Sequence, residues 1–169
     1  MCRADLLMPG KSPILGVVAL LLGLAFCATA GATARPPSST SVGAASTTSA
    51  AYSIVRAMNV VRARNGVPPL RVGRALTRAA RAHSADMARR GYFDHGAFVQ
   101  RLRSFGVRAP FIGENLASGP SPLSAAAIVQ MWIASPPHRQ NLLDRGFRSI
   151  GIGVAGSSTK LITADFAGR

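Results

Sequence analysis

Residues 148–155, with the sequence RSIGIGVA, constrain the fold more than any other segment of this chain. Ile150, Ile152 and Val154 alternate with a serine and two glycines, which predicts a strand with an aliphatic face and a nearly bare face. A face of glycines lets another element approach the backbone closely. The following GSST is typical of a turn, so residues 160–167 are expected to pair with this strand as a hairpin.

The spacing of apolar residues predicts helices at 52–65, 75–90, around 98–105, at 122–134 and at 136–143. In the first helix the apolar face contains Ile54, Met58 and Val61, and Arg62 is expected to lie away from it. Ser121 is expected to cap the fourth helix, which is apolar almost all round and should be deeply buried. Helices that outnumber strands predict an α+β fold in which helices cover an antiparallel sheet.

The first 34 residues have the features of an export signal peptide. Two basic residues precede an uncharged, mostly apolar run at 14–27, and small residues with two A-x-A sites follow it. The run is shorter than the roughly 20 residues that span a bilayer. We therefore expect a cleaved signal and no stable membrane span afterwards. An uncleaved anchor is the alternative, and Phe26 argues against lipid attachment at Cys27.

Residues 35–50 are rich in proline, serine, threonine and alanine, and they are interpreted as a flexible linker. The folded domain is then expected at 51–169, which is large enough for one core. Both cysteines, Cys2 and Cys27, lie within the predicted signal. The exported domain would therefore contain no disulfide, and its core alone must hold the fold.

The formal net charge is +14, and almost all the basic residues are arginine. An excess of this size favours anionic partners such as acidic wall polymers or phospholipid head groups. An evenly basic surface that reflects only an arginine-rich genome explains the composition equally well. Nucleic acid is not expected as a partner, because the protein is predicted to be exported and has no basic patch interleaved with aromatic residues.

The three histidines differ in their surroundings. His83 lies on the apolar stripe of the second predicted helix, which is typical of a core histidine. His95 follows that helix in a loop, where functional side chains often lie. His138 follows Ser135 and two prolines at a helix start, where the helix dipole should disfavour its protonated form. A neutral imidazole in a rigid setting suits a metal ligand or a hydrogen-bond acceptor.

Most familiar catalytic signatures are missing from the sequence. It has no H-E-x-x-H helix, no G-x-S-x-G elbow and no glycine-rich phosphate loop, and no cysteine nucleophile follows residue 34. Glu114 is the only glutamate and lies in the segment GENLASG. A functional role for it and a simple ion pair with one of the many arginines are both open.

The sequence resembles the CAP superfamily, which unites cysteine-rich secretory proteins, insect venom allergens and plant pathogenesis-related proteins. Its bacterial branch of exported SCP-like proteins is the most similar. Five short motifs in the family's order, between about Tyr52 and Phe166, carry the resemblance: NVVRARNGVPPLRV, AHSADMARRGYFDH, GENLAS, MWIASPPHRQNLL and FRSIGIGVA. The resemblance implies a three-layer α-β-α sandwich and a cleft that holds two histidines and two acidic residues.

Carried over to this chain, the family's cleft residues are His95, Glu114 and His138. The second acidic residue would fall at Ser135, where this sequence departs from the family pattern. Two imidazoles suit Zn²⁺, with Glu114 as a third ligand or as an orienting group. The lost carboxylate makes Ca²⁺ less suitable. Ser135 is expected to cap the next helix, Asn115 and Asn141 to brace the cleft, and Arg139 to face an anion.

We therefore expect a monomeric, non-catalytic binding domain of a secreted protein, located outside the cell or in the cell envelope. Its cleft would take a divalent metal and an apolar or envelope ligand, such as a lipid or an anionic polymer. Two alternatives remain open. In a metal-assisted hydrolase, Glu114 would act as general base toward water polarised by zinc. In a structural role, the arginine-rich surface would attach the protein to acidic envelope polymers.

Overall fold

The computed structural model describes residues 40–169, with side chains from residue 46 onward. The predicted signal at 1–34 and residues 35–39 of the predicted linker lie outside the described residues. None of the helices described is long and apolar enough to cross a membrane. The elements are, in chain order, α1 (Thr40–Arg64), β1 (Arg71–Val72), α2 (Arg74–Arg90), α3 (Phe98–Ser104), β2 (Phe111–Pro120), α4 (Ala125–Ala134), α5 (Pro136–Leu143), β3 (Phe147–Ala155) and β4 (Thr159–Gly168).

Helix α1 begins at Thr40, although the apolar periodicity predicted a start at Tyr52. Residues 40–50 of the predicted linker are therefore helical in the structure. This part of the helix contacts the domain, since Arg81 of α2 donates a hydrogen bond of 3.0 Å to the Thr48 hydroxyl. A tertiary contact of this kind stabilises helix that composition alone does not favour.

The four strands form one sheet in the order β1-β3-β4-β2. The predicted hairpin is present, because β3 and β4 are antiparallel neighbours. β4 also pairs antiparallel with β2, a strand that the periodicity did not predict. The two-residue β1 pairs parallel with β3, so the sheet is mixed where a wholly antiparallel one was expected.

The glycine face of β3 is covered by α2 at very short range, as the sequence predicts. A Cβ atom built on Gly151 would lie 2.1 Å from the carbonyl carbon of Leu76, and one on Gly153 would lie 2.1 Å from the carbonyl oxygen of Ala80. No side chain larger than hydrogen fits between strand and helix at these positions. The two glycines therefore set the distance between α2 and the sheet.

Two apolar clusters on opposite faces of the sheet give the molecule three layers. The larger cluster joins α1, α4 and α5 to the aliphatic face, and Trp132 is its largest fully buried side chain. The smaller one joins α2 and α3 to the other face around Leu76 and Leu102. The α-β-α sandwich is therefore present.

Helix α4 differs from its prediction in start and in burial. It begins at Ala125, and Ser124 is the N-cap, with its hydroxyl accepting a hydrogen bond of 3.1 Å from the Ala127 amide. Ser121 instead lies in a turn, where its amide bonds to the Ser158 carbonyl. Only one face of α4 is buried, and Met131 on the other face is 41% exposed.

Arg62 is fully buried, against the prediction that it lies away from the apolar face of α1. It follows Ile54 and Met58 at intervals of four, which continues the inward row of the helix. Its guanidinium donates hydrogen bonds to four backbone carbonyls, those of Pro68, Leu142, Asp144 and Phe147. A residue interpreted as surface charge therefore joins three parts of the chain.

Candidate functional site

Strand β2 places Glu114 directly opposite Asp165 of β4 in the antiparallel register. Cross-strand neighbours on one face of a sheet have Cβ atoms about 5 Å apart. The Glu114 side chain is 1% exposed and the Asp165 side chain is completely buried. Two carboxyl groups are therefore held side by side between the sheet and the α2–α3 layer.

One cation faces both carboxyl groups. Arg101 of α3 extends its guanidinium across the pair, so that Nη2 donates to Oε2 of Glu114 and lies 3.5 Å from Oδ1 of Asp165. The Arg101 side chain is itself only 14% exposed. Removing one partner of a buried ion pair is strongly destabilising, because the remaining charge is left buried and uncompensated. Glu114 is thus paired with an arginine, as one of the two open interpretations of the sequence held.

His95 supplies the second contact to Glu114. Its Nδ1 lies 2.8 Å from Oε1, and half of the His95 side chain is exposed. Because a carboxylate oxygen only accepts hydrogen bonds, Nδ1 carries the proton in this contact and Nε2 is left free. Both oxygens of Glu114 are therefore engaged, and the ring nitrogen that remains available is Nε2 of His95.

Burial dominates the acid–base properties of the carboxyl pair. It raises the pKa of Glu114 to about 7, against the guanidinium of Arg101, which lowers it. Burial and then the charge of Glu114 raise the pKa of Asp165 to about 8. Glu114 contacts both Arg101 and His95, whereas Oδ2 of Asp165 has no hydrogen-bond partner among the described residues. We assign the proton that the pair retains at neutral pH to Asp165.

The exchange Asp165→Asn tests this assignment. A carboxyl group whose pKa is higher in the folded than in the unfolded state makes the protein less stable as pH rises between those two values. Asparagine does not titrate, so the variant escapes this loss. We expect the unfolding free energy of the variant, relative to wild type, to rise by roughly 3–4 kcal/mol between pH 5 and pH 8.5, because the folded pKa of Asp165 is about 8 and each pH unit below it counts for about 1.4 kcal/mol. Urea unfolding at the two pH values measures this difference.

Asp86→Asn is the matched control, because its carboxyl pKa is lowered through the hydrogen bond from Tyr92. Asp86 is therefore fully ionised in both states across this pH range, and the difference between that variant and wild type should stay constant. A constant difference for Asp165→Asn as well would mean that Asp165 is ionised in the folded protein at pH 5.

His138 lies on the other side of β2, at the start of α5. Its carbonyl accepts a hydrogen bond of 2.9 Å from Nδ2 of Asn115, and Asn141 bonds both to Oδ1 of Asn115 and to the carbonyl of Glu114. The two asparagines thus connect α5 to the strand that carries Glu114. The pKa of His138 is lowered, first by burial and then by His95, whereas the sequence argument relied on the helix dipole.

Ser135 occupies the N-cap position of α5, as predicted, but its hydroxyl makes no capping hydrogen bond. The capping role assigned to its side chain was therefore wrong. Its carbonyl accepts the first helical bond, from the amide of Arg139. The prolines at the first two positions have no amide proton to be capped, which removes part of the need for a side-chain acceptor.

Of the two roles predicted for Glu114 beside a zinc ion, the structure fits the orienting group, which contacts Nδ1 of His95, better than the third ligand. Glu114 has both oxygens engaged, and Arg101 already neutralises it. Within residues 40–169, as far as the structure describes them, no group of three His, Cys, Asp or Glu side chains could hold a metal ion. The free Nε2 of His95 and the ring of His138 are the remaining candidate donors, and zinc binding by these two histidines stays a prediction.

His83 takes no part in this arrangement. It is buried on α2, and its Nε2 lies 2.9 Å from the carbonyl oxygen of Asp94. Burial lowers its pKa. These are the properties of the hydrogen-bonded core histidine that the apolar stripe predicts. Its partner carbonyl belongs to the residue before His95, so His83 also steadies the loop that presents His95.

Sequence reasoning missed two residues of the site, Arg101 and Asp165. Arg101 was one arginine among many, and nothing in its neighbours distinguishes it. Asp165 had a detectable signal, since it is the only charged residue within the apolar run LITADFA. An acid in the middle of a buried strand needs a partner, but the partner could be named only once β2 and its register were known.

The sequence of this chain is similar to a known protein family and to bacterial proteins. The pattern of the cysteine-rich secretory protein family, abbreviated CAP, matches residues 55–166. The Bacillus subtilis protein YkwD is 32% identical over 143 residues, which are 82% of this chain and 54% of the relative. The chain thus spans about half the length of this relative.

Solved structures show the same fold. An extracellular protein with an SCP domain from Bacillus anthracis is 28% identical, with a TM-score of 0.69 over 80% of this chain and 45% of its own. An outer surface protein from Borrelia burgdorferi gives a TM-score of 0.63 at 19% identity, covering 69% of this chain and 90% of its own. At that identity the likeness concerns the fold alone.

Proposed function

Because this chain belongs to the cysteine-rich secretory protein (CAP) family, we propose that it is an exported binding domain without catalytic activity. The observation that carries the proposal is the engagement of both Glu114 oxygens, by Arg101 and by His95. A general base must lie within hydrogen-bond reach of the water it activates, and the engaged Glu114 side chain is also only 1% exposed. Glu114 instead orients His95, and His95 meets the ligand.

The loop that presents His95 supports a binding role. Phe93 and His95 are both about half exposed and lie two residues apart, after the helix cap Gly91. An exposed ring and an imidazole with a free nitrogen give this loop one group for apolar contact and one for a hydrogen bond. We propose that this surface takes a component of the cell envelope, with wall glycan as the first probe.

Exchange of His95 for alanine in the full chain is expected to weaken co-sedimentation with purified wall sacculi by about tenfold, the worth of one well-made polar contact. Gln100→Ala, an exposed neighbour in α3, is the matched control and should bind like wild type. Circular dichroism establishes that both variants are folded. Unchanged binding of the His95 variant would refute the cleft as the ligand site.

The hydrolase alternative makes a different demand on Glu114. If it held, the protein would turn over a peptide, ester or glycan substrate, and Glu114→Gln would abolish that turnover without unfolding the protein. We expect no turnover from the wild-type chain on panels of these three substrate classes. Turnover that depends on Glu114 would overturn the binding proposal.

Zinc binding is tested independently by calorimetric titration of the full chain. With both Glu114 oxygens engaged, a zinc ion in the cleft would have only His95 and His138 as ligands among the described residues. Two protein ligands are fewer than stable zinc sites use. We expect weak binding that disappears in the His95→Ala, His138→Ala double variant. Glu114→Gln should leave the binding unchanged, and a loss there would restore Glu114 as a ligand.

A further inference from the structure

A cavity of about 660 Å³ lies at the end of the sheet, across the ends of β1, β3 and β4. None of its lining residues belongs to the cleft around His95. Arg71 of β1, Arg148 of β3 and Arg169 line it together with Ser149, which stands opposite Arg71 in the parallel register. Its size is that of a site for a small organic ligand.

Part of the cavity wall is glycine backbone, at Gly146 and Gly168. Gly168 passes so close to the preceding loop that a Cβ built on it would lie 2.1 Å from the carbonyl oxygen of Gly146. Arg148 is held in place, because its Nη1 donates to the carbonyls of Arg145 and Phe147. The cavity therefore contains at least one arginine whose position is defined by hydrogen bonds to the backbone.

The cavity has no acidic lining among the described residues. Elsewhere in the described residues, Arg89, Arg90 and Arg101 form ion pairs with carboxylates. None of these ion pairs engages Arg71 or Arg148. Asp144, in the loop before β3, does not line the cavity, and its Oδ1 accepts the amide of Gly146. Among the described residues, no aspartate or glutamate side chain therefore lines the cavity beside its arginines.

We propose that this cavity is a binding site for phosphate groups, separate from the His95 cleft. Guanidinium groups bind phosphate oxygens through paired, charge-assisted hydrogen bonds. Binding is strongest where a guanidinium is already held in position, as that of Arg148 is. Ser149 adds a hydroxyl donor beside Arg71. The site does not depend on the ligand proposed for the cleft.

Calorimetry with inorganic pyrophosphate tests the site on the full chain, and sedimentation with phosphatidylglycerol vesicles tests a lipid head group as the source of phosphate. Arg71→Gln combined with Arg148→Gln should weaken binding about tenfold or more, since charge-assisted bonds to both arginines are lost. Arg56→Gln combined with Arg64→Gln removes the same charge from exposed positions of α1 and should change binding less than about twofold.

The two probes and the two pairs of variants separate a specific phosphate site from a general effect of charge. Saturable pyrophosphate binding that depends on Arg71 and Arg148 supports the site with free phosphate as ligand, and dependence seen only with phosphatidylglycerol vesicles supports it with a head group. Equal weakening in both pairs of variants would reduce the effect to overall charge and overturn the proposal, as would no binding to either probe. His95→Ala should leave this binding intact, so failure of the cleft proposal is recognised separately.

Discussion

Exchange of Arg101 for methionine is expected to destabilise the protein by about 3–5 kcal/mol at pH 8, because it leaves two buried carboxyl groups without their cation. At pH 5 the cost should fall to roughly 1–2 kcal/mol, since Glu114 and Asp165 can both be neutral there. The difference begins to develop as pH passes the wild-type pKa values of about 7 for Glu114 and about 8 for Asp165, because both groups keep their protons to higher pH in the variant. Urea unfolding at both pH values measures it.

The sign of this effect follows from proton linkage. Without Arg101 the folded pKa values of both carboxyl groups rise further above their unfolded values, so the folded variant holds more protons and loses stability as pH increases. Combining Arg101→Met with Asp165→Asn removes one of the two buried acids and should restore part of the loss at pH 8. Arg108→Met, an exposed change just beyond α3, should stay within about 0.5 kcal/mol of wild type.

If Arg101→Met destabilised the protein equally at pH 5 and pH 8, Arg101 would not be compensating the charges of Glu114 and Asp165. Such a result would mean that Arg101 matters through packing alone and that the carboxyl pair is stabilised by something other than its guanidinium. The function proposed for the cleft would then lose its support, because Glu114 would no longer be held by a cation and its oxygen could serve as a base.

Arg62→Met is the second change with a large expected effect, about 3–5 kcal/mol at all pH values near neutrality. The exchange leaves four carbonyls without their donor: two in buried contacts, at 2.7 Å for Leu142 and 3.2 Å for Phe147, and two in partly buried contacts, at 2.8 Å for Pro68 and 3.1 Å for Asp144. An unsatisfied buried acceptor costs about 1–3 kcal/mol, less where water can enter. A drop in melting temperature of at least 10 °C is expected for a domain of this size, by roughly 4 °C for each kcal/mol.

Arg62→Lys separates charge from geometry, because an ammonium group has three donors and lacks the planar fork of a guanidinium. It should recover only part of the loss. Arg64→Met, two residues along α1 and exposed, is the matched control and should change stability by less than about 0.5 kcal/mol. A tolerated Arg62→Met would show that the loops around Pro68 and Asp144 rearrange to admit water.

Local signals in the chain predicted most of the fold. The periodicity of α2 and the alternation of β3 and β4 located these elements to within about one residue, because each pattern repeats over several turns or pairs. The glycines of β3 predicted the close approach of α2. Strand β2 was missed, since FIGENLASGP mixes apolar, charged and small residues and has no clean alternation. The start of α1 was placed too late, because the contact of Thr48 with Arg81 cannot be seen in composition.

The sequence by itself determined which residues were available for the site. Three histidines and a single glutamate, in motifs of the CAP family, are enough to name His95, Glu114 and His138. Tertiary structure alone decided what Glu114 does. Its partners Arg101 and Asp165 lie 13 and 51 positions away along the chain, and only the register of β2 against β4 and the packing of α3 bring them within hydrogen-bond reach. The energy of a buried charge depends on its neighbours in space, and for that reason the sequence could name the carboxylate without determining its role.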